Sequence, residues 1–419
     1  MTVSSASFSG FARKARRVCA IVGLIASVTG CVTQPKAPPP APPPPPVVAV
    51  GPATPSTHPL TADSPEFLRL PNLPAGTPVR VGILLPFSNG SSATRALAQS
   101  MLKAAELALF DAHNQSIVLM TADEGGSPEA AANSARNLLN QGAEIIIGPL
   151  FAASVTAVAP IARDRGVPVI AFSTDKSVAG DGVYLLSFQP GAEVRRVVDF
   201  AAAQGHTNFA ALVPQTAYGQ RVAEAFEAEV TAKGGHVTAI EHYAPTPDGI
   251  AQPARNAVAS KPDALLVADG GVSLRNAAPQ LAAAGVDGKT IKLLGTGLWD
   301  DPANAHEAAL NGGWFAAPSP SADAAFDTKY KAMFSTSPPQ LATLAYDAVA
   351  LAALLAPGPA YHRFTATALA DPNGFAGVNG IFRFNPDGTS ERGLAVLGVD
   401  PNGFQTVSPA PATFLPNGS

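Results

Sequence analysis

Hydrophobic positions in this chain come in short solid runs, and most runs are followed by a stretch where apolar residues recur at helical spacing. The first run after residue 78 is VRVGILLP, Val79 to Pro86, rich in β-branched residues and closed by a proline and the turn cluster Ser88 to Ser92. Its length and flanks predict a buried strand. Ala93 to His113 then puts Leu97, Met101, Ala105 and Ala108 on one stripe, which predicts a helix. Strands are expected next at 116–121, 143–149 and 167–172, with helices ending near Gln141 and Arg165 between them. Ser127-Pro128-Glu129 supplies an N-cap, a proline at the first helical position and an acid in the first turn.

A second series begins near Pro190. Helices are expected at 192–204, 217–233, 248–260 and 274–284, alternating with strands at 209–214, 237–243, 264–269 and 292–296. Strand–helix–strand units with short loops predict a parallel sheet covered on both faces, so two doubly wound α/β lobes are expected. The strand at 312–318 reads as a return across a hinge, and helices follow at 322–335 and 340–355. In the tail, IFRF and LAVLGV read as strands joined through the turn Asn385-Pro386-Asp387-Gly388.

The chain before Val79 has another grammar. Basic residues at 13–17 precede an apolar run, Val18 to Val28, of signal-peptide length and short for a permanent membrane span. Thr29 and Gly30 then lead into Cys31. Residues 35–46, PKAPPPAPPPPP, favour polyproline II and rise ~3.1 Å per residue, a stalk of ~35 Å. Leu60 to Leu73 is expected to be extended or to lie loosely on the body.

Composition narrows the function classes. Of 419 residues 47% are hydrophobic and 14% charged, enough apolar surface for two cores. Without the four basic residues of the leader, 23 Lys and Arg face 31 Asp and Glu, so no basic surface for nucleic acid is expected. The only cysteines, Cys19 and Cys31, precede the body, which therefore has neither a disulfide nor a thiolate metal site. The seven histidines form no i, i+4 pair or HExxH, and no GxSxG, P-loop or GxGxxG follows a strand. Asp123 and Glu124 sit together at a strand end, a placement that could suit acid–base work, but the sequence offers no nucleophile–base pair beside them. No cofactor and no enzymatic activity are expected.

Two resemblances fit these motifs. VTGC at 28–31 resembles the bacterial lipobox, which implies a lipidated Cys31, a cell-envelope location facing the periplasm and, with Val32 next, the outer membrane over the inner. VRVGILLPFS, DEGGSPEAAANSARNLL, AEIIIGPLFAAS and the tail glycines Gly377, Gly380 and Gly388 with Phe384 resemble, in their order, a type I periplasmic binding protein of the leucine-binding class. That resemblance implies two Rossmann-like lobes joined by three hinge crossovers, with ligand in the cleft at the carboxyl ends of the strands. The implied division is a signal peptide at 1–30, a spacer at 31–78, lobe 1 at 79–190 plus 313–356, lobe 2 at 191–312 plus 357–405, and a tail at 406–419.

The same resemblance implies ligand contacts from Ser173 and Thr174 after the fourth strand and from Tyr218 of the Tyr218-Gly219 pair. Ser154 stands in the loop after the third strand, where Leu150, Phe151 and alanines replace the small polar residues of the family's amino-acid binders. Asp248 is the nearest acid for a ligand ammonium, with Asp269 as a further candidate. Capping suits Ser173, Thr174 and both acids equally well. The function implied is non-catalytic binding of a small amino-acid-like solute, with a membrane permease as partner. The alternative is a penicillin-binding protein activator, because the carboxyl-terminal domain of those lipoproteins has similar ILLP and IGPL segments behind a lipobox and spacer. Such a protein would regulate a peptidoglycan synthase by protein–protein contact.

Overall fold

A computed structural model of the chain describes residues 67–70, 78–113, 116–246 and 248–414. The leader, Cys31 and the polyproline run lie outside them. Among the described residues no helix is long and apolar enough to cross a membrane.

The first lobe alternates as its sequence pattern requires: β1 (Phe67–Arg69), β2 (Val79–Leu85), α1 (Ser92–Asp111), β3 (Ile117–Asp123), α2 (Pro128–Asn140), β4 (Ile145–Ile147), α3 (Ala152–Arg163), β5 (Val169–Ala171) and β6 (Val183–Leu185). The sheet order is β1-β3-β2-β4-β5-β6, parallel except for β1. Helix starts are set by local chemistry. Ser91 accepts the N–H of Thr94 at 3.1 Å, and Ser127 accepts that of Ala130 at 3.2 Å. β2 is buried throughout its length, as expected of a central strand covered on both faces.

The second lobe repeats the plan with α4 (Pro190–Ala203), β7 (Asn208–Pro214), α5 (Ala217–Ala232), β8 (His236–Tyr243), α6 (Ala251–Ala259), β9 (Ala264–Val267), α7 (Gly271–Ala283), β10 (Lys292–Gly295) and β11 (Trp314–Ala317). After α8 (Ala324–Phe334), α9 (Ala342–Leu355) and α10 (Ala366–Leu369) comes a small antiparallel sheet of β12 (Phe375–Gly377), β13 (Gly380–Phe384) and β14 (Ser390–Arg392). The chain then adds β15 (Ala395–Asp400) and β16 (Gly403–Ser408) to the second sheet, whose order is β16-β15-β11-β10-β9-β7-β8.

Four expectations are corrected by this topology. β11 does not return across the hinge: it pairs parallel to β10 and antiparallel to β15 inside lobe 2, so the passage back to lobe 1 follows Ala317. Residues 357–392 do not belong to lobe 2, because Phe364, Leu369, Phe382 and Phe384 join α1 and α9 in the lobe 1 core. The turn at 385–388 joins IFRF to β14, whereas LAVLGV lies in the other sheet. Of the two expectations for 60–73, residues 67–69 meet the extended one and not the loose one, since they pair with β3 at the edge of the first sheet and Leu70 is buried in the core. Main-chain hydrogen bonding and one buried leucine fix that short segment, which its length alone did not reveal.

Three passages therefore connect the lobes. The third begins at a buried ion pair, over which the first lays the Phe188 ring. Arg392 at the end of β14 donates to Asp347 of α9 at 3.3 Å and lies over the rings of Phe188 and Phe382. Burial pushes the Asp347 carboxyl up, and the adjacent Arg392 opposes the shift.

Candidate functional site

In both sheets the strand order reverses beside a central strand, between β2 and β4 in lobe 1 and between β7 and β9 in lobe 2. Open α/β sheets bind ligands beyond the carboxyl ends of their strands at such points, where loops diverge and helix N-termini converge.

In lobe 1 the crevice holds Gly148, the turn after β4 and the start of α3. Gly148 has φ +102°, and a Cβ there would come 1.9 Å from the Leu84 carbonyl oxygen, so only glycine permits this close approach. Glu124, fully buried, reaches in from the end of β3. Its carboxylate accepts the N–H groups of Leu150 at 2.8 Å and Phe151 at 3.1 Å, and also bonds the Ser154 hydroxyl. Burial pushes Glu124 above the usual carboxylate range, opposed by those donors. Ser154 is thus buried and engaged with the chain's own carboxylate. Asp123 ties down the neighbouring loop by accepting the N–H groups of Phe87, Ser88 and Gly125. Phe151 remains 45% exposed at the rim.

After β5, the Ser173 hydroxyl accepts the N–H of Asp175 at 3.1 Å, and the Ser173 carbonyl accepts the Ser187 hydroxyl at 3.0 Å. Gln189 in turn donates to Ser187 at 2.6 Å. This network runs from the β5 loop into the first passage between lobes. Thr174 is half-buried beside it.

Lobe 2 presents a polar wall. Thr216 caps α5 by accepting the Gly219 N–H at 3.1 Å. A Cβ on Gly219 would lie 1.9 Å from the Pro214 carbonyl oxygen, so the glycine lets α5 press on the end of β7 and fixes Tyr218. The Tyr218 hydroxyl is 2.7 Å from that of Thr296 after β10. Burial, then the negative charge of Glu193, pushes the Tyr218 phenol up. Glu193 in the first turn of α4 accepts the Gly297 N–H at 2.9 Å, and burial pushes its carboxyl up to about 7. The residue keeps a little accessible surface, toward a small cavity shared with Gln189 and Arg392, although it lies deep within the molecule.

Asp269 follows β9. It accepts the Tyr243 hydroxyl at 2.6 Å and the Gly270 N–H at 2.8 Å. With Tyr243, Thr246, Ser273 and Asn276 it lines a pocket of about 160 Å³. Asp248 stands exposed in the turn before α6, where its backbone carbonyl accepts the Ala251 N–H. Of the residues singled out from sequence, Tyr218 and Asp269 lie close enough to interact, and Ser173 and Thr174 share one loop on the other lobe. Glu193 and Thr296 were missed. The only signal for Glu193 was an acid in a first helical turn, which helix-dipole stabilisation also explains. Among the described residues no group of acids and histidines could hold a metal ion.

Comparison with known proteins agrees with this architecture. An uncharacterized protein of Rickettsia prowazekii is 21% identical over 178 residues, 42% of this chain and 47% of that one. The chain thus matches about half the length of that relative. A putative branched-chain amino acid ABC transporter protein from Rhodospirillum rubrum superposes with a TM-score of 0.69 at 22% identity, covering 79% of this chain and 100% of that structure. A leucine-binding protein from Thermotoga maritima gives 0.56 at 19% identity, with 79% and 98% covered. A solute-binding protein from R. palustris in complex with benzoate gives 0.56 at 21%, with 80% and 98% covered. The periplasmic binding protein family matches residues 78–404. With its type I two-lobed fold, this chain belongs to the periplasmic binding proteins, a family of non-catalytic solute-binding proteins.

Proposed function

We propose that the chain is a lipid-anchored solute receptor of the cell envelope that closes its lobes on a small, amino-acid-like ligand and hands it to a membrane permease. The observation that carries this reading is the wall at the strand ends of lobe 2, where Asp269 with Tyr243 and Tyr218 with Thr296 offer polar groups. Asp269 receives the ligand ammonium, Tyr218 packs on its body, and Ser173 and Thr174 meet it from lobe 1. Contacts from both lobes favour the closed state over the open one, which is how binding drives closure. Similar folds that bind leucine or benzoate support a ligand of this size. The VTGC motif supports the anchor at Cys31 on the periplasmic face, with the outer membrane favoured by Val32.

The test is thermal unfolding against single amino acids. Saturation at 100 times the dissociation constant adds about 2.7 kcal/mol, a readable rise in Tm. A shift that disappears in Tyr218→Ala supports the reading, and the absence of any shift refutes it. One observation favours a second function: the α3 rim is apolar, with Phe151 and Ala153 exposed. Such a rim suits protein contact, so capture of a peptidoglycan synthase that is lost in Phe151→Ser would replace the receptor by a synthase regulator.

A further inference from the structure

A pocket of about 380 Å³ opens between the lobes beside the first passage. Lobe 1 supplies Asp175 and Lys176 from the turn after β5, the passage supplies Gln189 and Gly191, and α5 of lobe 2 supplies Arg221 and Glu224. Two cations and two acids face it, but they are not equally committed. The Asp175 carboxylate accepts both the N–H and the hydroxyl of Ser177, at 3.0 and 2.7 Å. Glu224 accepts the Gln220 amide at 3.2 Å.

The cations have less to hold. Among the described residues no hydrogen bond or ion pair engages the Lys176 ammonium. It extends over the start of α4, so that a Cβ on Gly191 would lie 3.3 Å from Nζ. The nearby Asp387 spends one carboxylate oxygen on the N–H and hydroxyl of Thr389 and feels the Lys176 charge without a direct bond to it. Arg221 has a buried Nε with no partner, although its charge acts on Asp175. The N-terminus of α4 opens beside them without a side-chain cap, because Gln189 at the N-cap turns its amide to Ser187. Buried Gln189 also leaves its Oε1 unpartnered, an acceptor for donors on the ligand rather than for its anion. An unpaired buried donor favours an anion, and at the start of α4, where Pro190 has no N–H and the Gln189 carbonyl takes those of Ala192 and Glu193, the Gly191 N–H is left to join it. In lobe 1 the corresponding place at α3 is already filled by Glu124.

We propose that this pocket is the seat of a carboxylate, the acid end of the ligand, held between Lys176 of lobe 1 and Arg221 of lobe 2. The inference rests on the receptor reading and adds the position and charge of one end of its ligand. Because the two cations come from different lobes, the anion bridges them and makes its full set of contacts only when the lobes close.

The experiment is calorimetric titration of the full-length chain in detergent with the twenty amino acids, benzoate, leucinamide and inorganic phosphate. Lys176→Gln, Arg221→Gln and Tyr218→Ala are compared with wild type, and Lys176→Arg controls for folding. At least tenfold weaker binding of a carboxylate ligand is expected in each Gln variant, with Lys176→Arg close to wild type. Leucinamide should bind at least tenfold more weakly than leucine and lose nothing further in the Gln variants. Carboxylate binding that survives both Gln substitutions but is lost in Tyr218→Ala overturns the seat and leaves the receptor standing. Phosphate binding with the same Lys176 and Arg221 dependence, without carboxylate binding, overturns the carboxylate assignment. No binding of any of these compounds by wild type overturns receptor and seat together.

Discussion

Each lobe places a carboxylate beside its point of strand reversal, Glu124 after β3 and Asp269 after β9, and the two are used differently. In lobe 1, Glu124 from the end of β3 is fully buried and bonds the N–H groups of Leu150 and Phe151 and the Ser154 hydroxyl. In lobe 2, Asp269 bonds one phenol and one N–H and still faces a pocket. A carboxylate has about four lone-pair sites, so the first is close to saturated by the fold and the second keeps capacity for a ligand. A shared strand–helix plan thus leaves one crevice closed by its own chain and the other open for chemistry.

Substitution should separate the two carboxylates cleanly. The largest effect is expected in Glu124→Ala, which strands three donors in a buried crevice and should cost about 3 kcal/mol in chemical denaturation. Loss of less than about 1 kcal/mol would show that the crevice tolerates an empty acceptor. Next comes Glu193, whose carboxyl is pushed up to about 7 from 4.5 by burial. Between those values the unfolded chain has released the proton and the folded chain still holds it. Stability should therefore be highest below the unfolded pKa, fall as pH rises toward 7, and level off above it. Glu193→Gln should remove that slope and raise stability at pH 8 by on the order of 2 kcal/mol, measured by denaturation at pH 5 and pH 8. An unchanged slope would assign the pH dependence to other groups.

Asp269→Asn should cost only about 1 kcal/mol in stability, since one hydrogen bond is weakened, while ligand affinity falls at least tenfold in calorimetry. Equal losses of stability and affinity would make Asp269 a structural twin of Glu124. The smallest change is expected in Tyr218→Phe, which removes the bond to Thr296 and should shift stability by about 0.5–1 kcal/mol.

The repeat of strand and helix could be read along the chain because short β-branched runs and helical stripes are local. The Ser127-Pro128-Glu129 helix start and the central strand at Val79 are where that grammar placed them. β6 and β1 were not recognised, each three residues long and defined by pairing with a distant strand. The site was legible only in outline. Tyr218-Gly219 and the Ser173-Thr174 loop are visible as motifs, whereas the roles of Glu124, Glu193 and Thr296 depend on partners 26, 104 and 78 positions away.

By itself the sequence determined the two α/β lobes and the helix caps, because propensity and capping act over a few residues, and the Tyr218-Gly219 pair is local in the same way, since Gly219 packs on the Pro214 carbonyl. Only the tertiary structure decided which lobe owns β11 and the tail, and which polar groups are consumed by the fold. A carboxylate becomes saturated or remains open according to donors brought to it from elsewhere in the chain, and no local pattern encodes that meeting.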